Sequence, residues 1–195
     1  MTLVFWPYLQ VHPIAEFWEA VQMFGAFPEV HFTFFEGIYV GSNEIPWYYA
    51  PKWLLLTLPE YVLIGVLLTV GIALVKRRFK MSYLVLLVCA LFPIVYAVVK
   101  QMPLYDAIRH LLFVMPPLAV ISALGMNYLL RMRKEIVWVT VGGMCVCVLF
   151  GVRNLVVLHP NQYVYFNHLF AGGVAEAAYQ YETDYWENSY PQGVA

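Results

Sequence analysis

The sequence predicts an all-α polytopic integral membrane protein with about four transmembrane helices, an interfacial amphipathic helix and an extracytoplasmic tail. Three observations lead there. Composition is 62% hydrophobic and 12% charged, about half the charged fraction usual in a soluble domain. Four apolar runs reach the roughly 20 residues that a helix needs to cross a hydrocarbon core. Seven of the eleven Lys and Arg residues fall into two short clusters between those runs, Lys76, Arg77, Arg78, Lys80 and Arg131, Arg133, Lys134.

The four runs are Trp53–Val75, Met81–Val99, Ile108–Leu130 and Ile136–Leu158. Each is expected to be helical, because a lipid-exposed backbone must satisfy its own hydrogen bonds. Cytoplasmic loops collect Lys and Arg, so the two basic links should face the cytoplasm. The link 100–107, the region 1–52 and the tail 159–195 are then extracytoplasmic, with both chain ends outside. Pro59, Pro93, Pro116 and Pro117 lie in or near the spans, where kinks or the lining of a cavity are both open readings.

Ahead of the first run, Pro13 can open a helix. Ile14, Phe17, Trp18, Val21 and Phe24 repeat at helical spacing, with Glu16, Glu19 and Gln22 on the other face. Such a helix is too short to span and should lie along the outer interface. Residues 1–52 thus form one region, the end of a truncated span followed by this helix and an aromatic loop. Residues 53–158 form the transmembrane region, and 159–195 the aromatic tail, with Gly172-Gly173 as a turn or helix stop.

Some chemistries are excluded. The basic residues are loop clusters, with no groove or stacking motif for nucleic acid. Cys145 and Cys147 diverge by about 200° on a helix, so no metal site or disulfide follows from them. No Ser-His-Asp order, P-loop or dinucleotide fingerprint is present.

The sharpest polar constellation is Lys100, Asp106, Arg109 and His110, at the outer mouth of the second and third spans. Charges there are costly unless solvated, snorkelled or paired. Arg109 and His110 open a helix, so a phosphate could use the guanidinium fork and free backbone amides. The plainer alternative is an Asp106–Arg109 ion pair that ends the helix. His12, Glu16, Glu19, His31 and Glu36 form a looser group without a known ligand spacing, so no metal ligand is assigned. Glu60 opens an apolar run, as acidic first-turn residues commonly do. Trp47, Tyr48, Tyr49, Tyr163, Tyr165, Asp184 and Trp186, with Phe166, Glu182 and Tyr185, have the composition of a sugar-facing surface; an aromatic belt at the headgroups would look the same.

Asn43-Glu44-Ile45-Pro46-Trp47-Tyr48-Tyr49-Ala50-Pro51-Lys52-Trp53-Leu54-Leu55-Leu56-Thr57-Leu58-Pro59 resembles the PWYY-P-W-L-T-P segment of GT-C membrane glycosyltransferases. Within that superfamily the resemblance is to family 39, the protein mannosyltransferase and aminoarabinose transferase-like group. Arg109-His110-Leu111-Leu112-Phe113-Val114-Met115-Pro116-Pro117-Leu118 is similar to that family's R-[YH]-L-L-x-x-x-P-P-L helix. His159-Pro160-Asn161-Gln162-Tyr163-Val164-Tyr165-Phe166-Asn167, Gly172-Gly173 and Asp184-Tyr185-Trp186 resemble the tail of bacterial members.

The resemblance implies transfer of a sugar from a polyprenyl-phosphate donor to an acceptor on the extracytoplasmic face of a bacterial inner membrane. Arg109, with Lys100 and His110, would hold the donor phosphate as it leaves. Some relatives use a divalent metal, but no ligand is carried over by motif. The family's acceptor-activating Asp follows its first span, and neither Asp106 nor Asp184 matches it. The expectation is therefore a C-terminal half, inactive without a missing N-terminal half and assigned no catalytic residue. A non-catalytic membrane subunit that binds lipid or a partner protein is the alternative.

Overall fold

The computed structural model describes residues 12–25, 30–76 and 81–184, and the chain divides into two compact units, 1–30 and 31–195. Arg77, Arg78, Lys80, Tyr185 and Trp186 lie outside the described residues, as does the stretch 1–11 read as the end of a span.

The described part of the first unit is helix α1, Pro13–Gly25, opened by Pro13 with Glu16 in its first turn. Its apolar face is bare: Ile14 is 87% exposed, Trp18 60% and Phe17 55%.

In the second unit, a hairpin of β1 (Phe32–Phe35) and β2 (Ile38–Gly41) precedes the helices. Its turn holds Glu36 at φ 55° and Gly37 at φ 79°, the left-handed pair that lets a two-residue turn follow strand twist. Helices α2 (Tyr49–Thr57), α3 (Glu60–Lys76), α4 (Met81–Val99), α5 (Met115–Leu129) and α6 (Lys134–Val157) follow. A 3-10 helix, Arg109–Val114, leads directly into α5. The tail adds a 3-10 turn, Gln162–Val164, and the one-turn helices α7 (His168–Ala171) and α8 (Val174–Ala177). Gly172 at φ 71° stops α7, as its sequence position suggests.

The molecule is mostly helical, and among the described residues two helices are long and apolar enough to cross a membrane: Arg109–Leu129 and Lys134–Val157. A third candidate is α2 with α3, but these are bent by 115°. Within the expected run Trp53–Val75 the chain forms two helices that meet at Leu58-Pro59. Pro59 has no N–H to continue α2 and drives Leu58 into extended backbone, at ψ 136°. Pro93, by contrast, sits inside a continuous α4. Pro116 and Pro117 occupy the first turn of α5, where a missing N–H costs nothing.

The α3–α5 seam is built from small residues. A Cβ on Gly65 would collide with Ser122, and one on Gly125 would lie 2.5 Å from the Gly65 carbonyl oxygen. Close backbone approach of this kind, with hydroxyls bridging, is what holds helices together where lipid competes equally for apolar contact. Thr69 Oγ1 reaches the Ile121 carbonyl at 2.5 Å and Ser122 Oγ donates to the Tyr61 carbonyl at 3.3 Å.

Over the α2–α3 corner lies an aromatic core of Phe35, Tyr49, Trp53, Phe166 and Tyr181, each at most 7% exposed. The tail reaches it by pairing with the hairpin: Tyr181 bridges Phe35, and Gly37 N donates to Gln180 O at 3.0 Å. Asn167, fully buried, clasps the corner. Its Nδ2 donates to the Leu55 and Leu58 carbonyls at 2.6 and 2.9 Å, and its backbone N to the Leu56 carbonyl at 2.8 Å. These are the last-turn carbonyls that a helix end leaves without partners. In return, Glu60 Oε1 accepts from the backbone N–H of His168 at 2.8 Å and of Leu169 at 3.3 Å.

Candidate functional site

The loop after α4 carries Asp106 and Ala107 in left-handed backbone, at φ 53° and 58°. That double turn brings Arg109 back onto Asp106, with Nη1 to Oδ2 at 2.5 Å. The plainer expectation for these residues is thus formed in the structure. The opening turn also differs from the expected anion site. Being 3-10, it already uses its amides: Arg109 N donates to Asp106 O at 3.3 Å and Leu111 N to Ile108 O at 2.8 Å.

What gathers around Arg109 is a ring cluster. The guanidinium lies 5.3 Å from the centre of the Tyr105 ring. His31 stacks on that ring at 4.3 Å and 28°, and His110 meets it edge-on at 4.7 Å and 69°. His110 is half-buried, and its Nε2 finds no acceptor. A guanidinium and two imidazoles thus gather around one phenol ring. Lys100 is exposed in the turn ending α4. His31 and Tyr105 take the places beside Arg109 and His110 that sequence reasoning had given to Lys100.

Beneath this cluster, Thr33 Oγ1 donates to Glu182 Oε2 at 2.9 Å and lies 3.5 Å from the Tyr49 hydroxyl. Burial pushes the Glu182 carboxyl above the ordinary carboxylate value, Thr33 partly offsets this, and Asp106 adds to it. Glu36, at the hairpin tip, is paired with Lys52 and accepts from the Tyr48 hydroxyl at 3.0 Å. The Lys52 hydrogen bond holds the Glu36 carboxyl below its usual value.

The aromatic residues expected to face sugar do not share one surface role. Tyr49 is 1% exposed within the aromatic core, so its expected outward role is corrected. Phe166 is likewise core. Trp47 is 72% exposed and stands edge-on to Tyr48 at 5.7 Å. Tyr163 donates to Asp184 at 2.7 Å, and Tyr165 lies against Glu60 at 3.4 Å. Burial, then the Glu60 charge, push the Tyr165 phenol above its ordinary value. His12, Glu16 and Glu19 belong to the first unit, His31 and Glu36 to the second. Among the described residues no three His, Cys, Asp or Glu side chains gather as a metal site would require.

Sequence reasoning missed Tyr105, Thr33 and Asn167. Tyr105 is one residue from Asp106 and carried no motif. Asn167 had a faint signal, since Asn before a short apolar helix is a good N-cap, and its Oδ1 does accept from Phe170 N at 2.9 Å. No protein-family model, curated protein or solved structure matches the chain.

Proposed function

We propose that this chain is the donor-binding part of a membrane glycosyltransferase, taking a sugar from a polyprenyl-phosphate carrier to an acceptor on the extracytoplasmic face. In this reading the chain crosses the membrane four times, α2–α3 and α4 included, in a bacterial inner membrane. Its basic loops are cytoplasmic and Tyr105 lies outside. One observation carries the proposal: Arg109, His31 and His110 converge on the Tyr105 ring at the head of an apolar helix. Charge builds on the phosphate as the sugar departs, and a cation already held in place stabilises that charge without reorganising. The Tyr105 ring holds the guanidinium in place, and Asp106 balances its charge when no phosphate is bound. The acceptor must be activated by a carboxylate that this chain does not match by motif, so the chain is inactive alone.

Binding of a fluorescent polyprenyl-phosphate sugar to the chain in nanodiscs tests the reading. Arg109→Ala should weaken binding about tenfold or more, the loss of a charge-assisted hydrogen bond. Asp106→Asn should strengthen it by removing the carboxylate charge that competes with the phosphate for the guanidinium. Unchanged affinity in both variants would remove the assignment, and so would labelling of a cysteine at position 105 from the cytoplasmic side.

The second reading, a non-catalytic subunit that binds lipid or a partner protein, is favoured by the bare apolar face of α1. Absent sugar-lipid binding together with intact insertion would select it.

A further inference from the structure

One side of α6 borders a cavity of about 430 Å3, opposite Tyr61 at the head of α3. Its wall on α6 runs from Val146 through Phe150, Gly151 and Asn154 to Leu158. At 1.5 Å per residue that wall is about 18 Å long and parallel to the helix axis. The cavity is therefore a slot along a membrane helix, apolar at mid-depth.

Its polar end is chemically specific. Asn154 is the one buried residue of α6, 8% exposed, and its Nδ2 has no acceptor. A buried amide donor without a partner is costly and calls for an acceptor from outside the chain. Counting from the middle of Lys134–Val157, Asn154 lies about 13 Å along the axis. Half of a bilayer's hydrocarbon core is about 15 Å, so this amide sits where the hydrocarbon gives way to the headgroups. One residue earlier, the exposed Arg153 rests its guanidinium 5.9 Å from the centre of the Phe150 ring, beside the slot. Glu60, on the same rim, is already accepting from the tail.

We propose that the slot is a binding site for one glycerophospholipid. An acyl chain lies along Val146–Leu155, and its ester carbonyl accepts from Asn154 Nδ2. The order of groups matches: apolar chain, then carbonyl acceptor, rising toward the headgroups. A polyprenyl phosphate has no carbonyl to accept from Asn154, and the carbonyls of a neighbouring helix are spent on its own backbone. The site rests on membrane insertion of α6 and is independent of the Arg109 reading.

The test uses the chain in nanodiscs of palmitoyl-oleoyl phosphatidylethanolamine doped with a probe of the same headgroup carrying a diazirine on its acyl chain. Photolysis should place the label on residues 146–158. An ether-linked probe, lacking the carbonyl, should label the unaltered chain about tenfold less. Asn154→Leu should cause a similar drop for the ester probe. Gly151→Leu should abolish labelling, since a Cβ there meets nothing within 4 Å and the side chain can fill the slot. Gly143→Leu, equally open but away from the cavity, should leave labelling unchanged. Equal labelling by ester and ether probes would overturn the proposal. So would equal behaviour of the two glycine variants, or displacement of the probe by an equimolar polyprenyl phosphate. None of these results depends on sugar-lipid binding at Arg109, which is read separately.

Discussion

Helix α5 and helix α6 are both apolar enough for a bilayer, yet they relate to the rest of the molecule in opposite ways. α5 buries Leu118, Ile121, Ser122 and Gly125 against its neighbours; α6 buries Asn154 alone. Mean apolarity does not explain this, because lipid tails solvate a Leu or Val surface as well as another helix does. What α5 has is a seam: glycines that allow backbone contact, and Thr69 and Ser122 hydroxyls that reach carbonyls across it. α6 carries Gly142, Gly143 and Gly151 too, but a Cβ at any of them meets nothing within 4 Å. A small residue builds an interface only where a partner surface is cut to meet it.

The largest expected effect tests that contrast directly. Gly125→Leu must displace the Gly65 carbonyl and Thr69, and should cost about 3 kcal/mol, the upper end of the overpacking range, in denaturant unfolding from detergent micelles. Gly143→Leu on α6 should change stability by under about 0.5 kcal/mol. Equal losses would mean that α6 is packed after all. Next in size is Asn167→Ala in the cap, which strips donors from two buried carbonyls and should cost about 2–4 kcal/mol in the same assay. A loss no greater than that of an ordinary surface change would break the idea that the corner depends on the tail.

The smallest effect is at the hairpin tip. Lys52 lowers the Glu36 carboxyl below its ordinary 4.5, so the pair's contribution is complete above that pH and fades as pH falls through the lowered value. Both partners are about one-third exposed, and such pairs contribute under about 1 kcal/mol. The gap in unfolding temperature between the unaltered chain and Glu36→Gln should therefore be small at pH 7 and vanish near pH 2. A gap that widens on acidification would reverse the sign.

Apolar helices and the amphipathic stretch 13–25 were readable because each depends on local pattern. The α2–α3 break was half-readable: Pro59 marked a boundary, but only Asn167, more than a hundred positions away, makes a sharp corner tolerable there. Aromatic residues were least informative. Tyr49 and Trp47 are two positions apart with the same composition signal, yet one is core and the other open to its surroundings. That difference is set by α2 turning Tyr49 toward the hairpin, a tertiary event with no local signature. At the site, Arg109 and Asp106 could be paired from spacing, whereas His31 and Tyr105 meet across a fold that spacing does not encode.

The clasp at Asn167 also sets an order of events during synthesis. The corner leaves the ribosome more than a hundred residues before the side chain that closes it. Until Asn167 has been made, the carbonyls of Leu55 and Leu58 must be tended by water or by other partners. Completion of the cap thus reports that the chain has been made through α6.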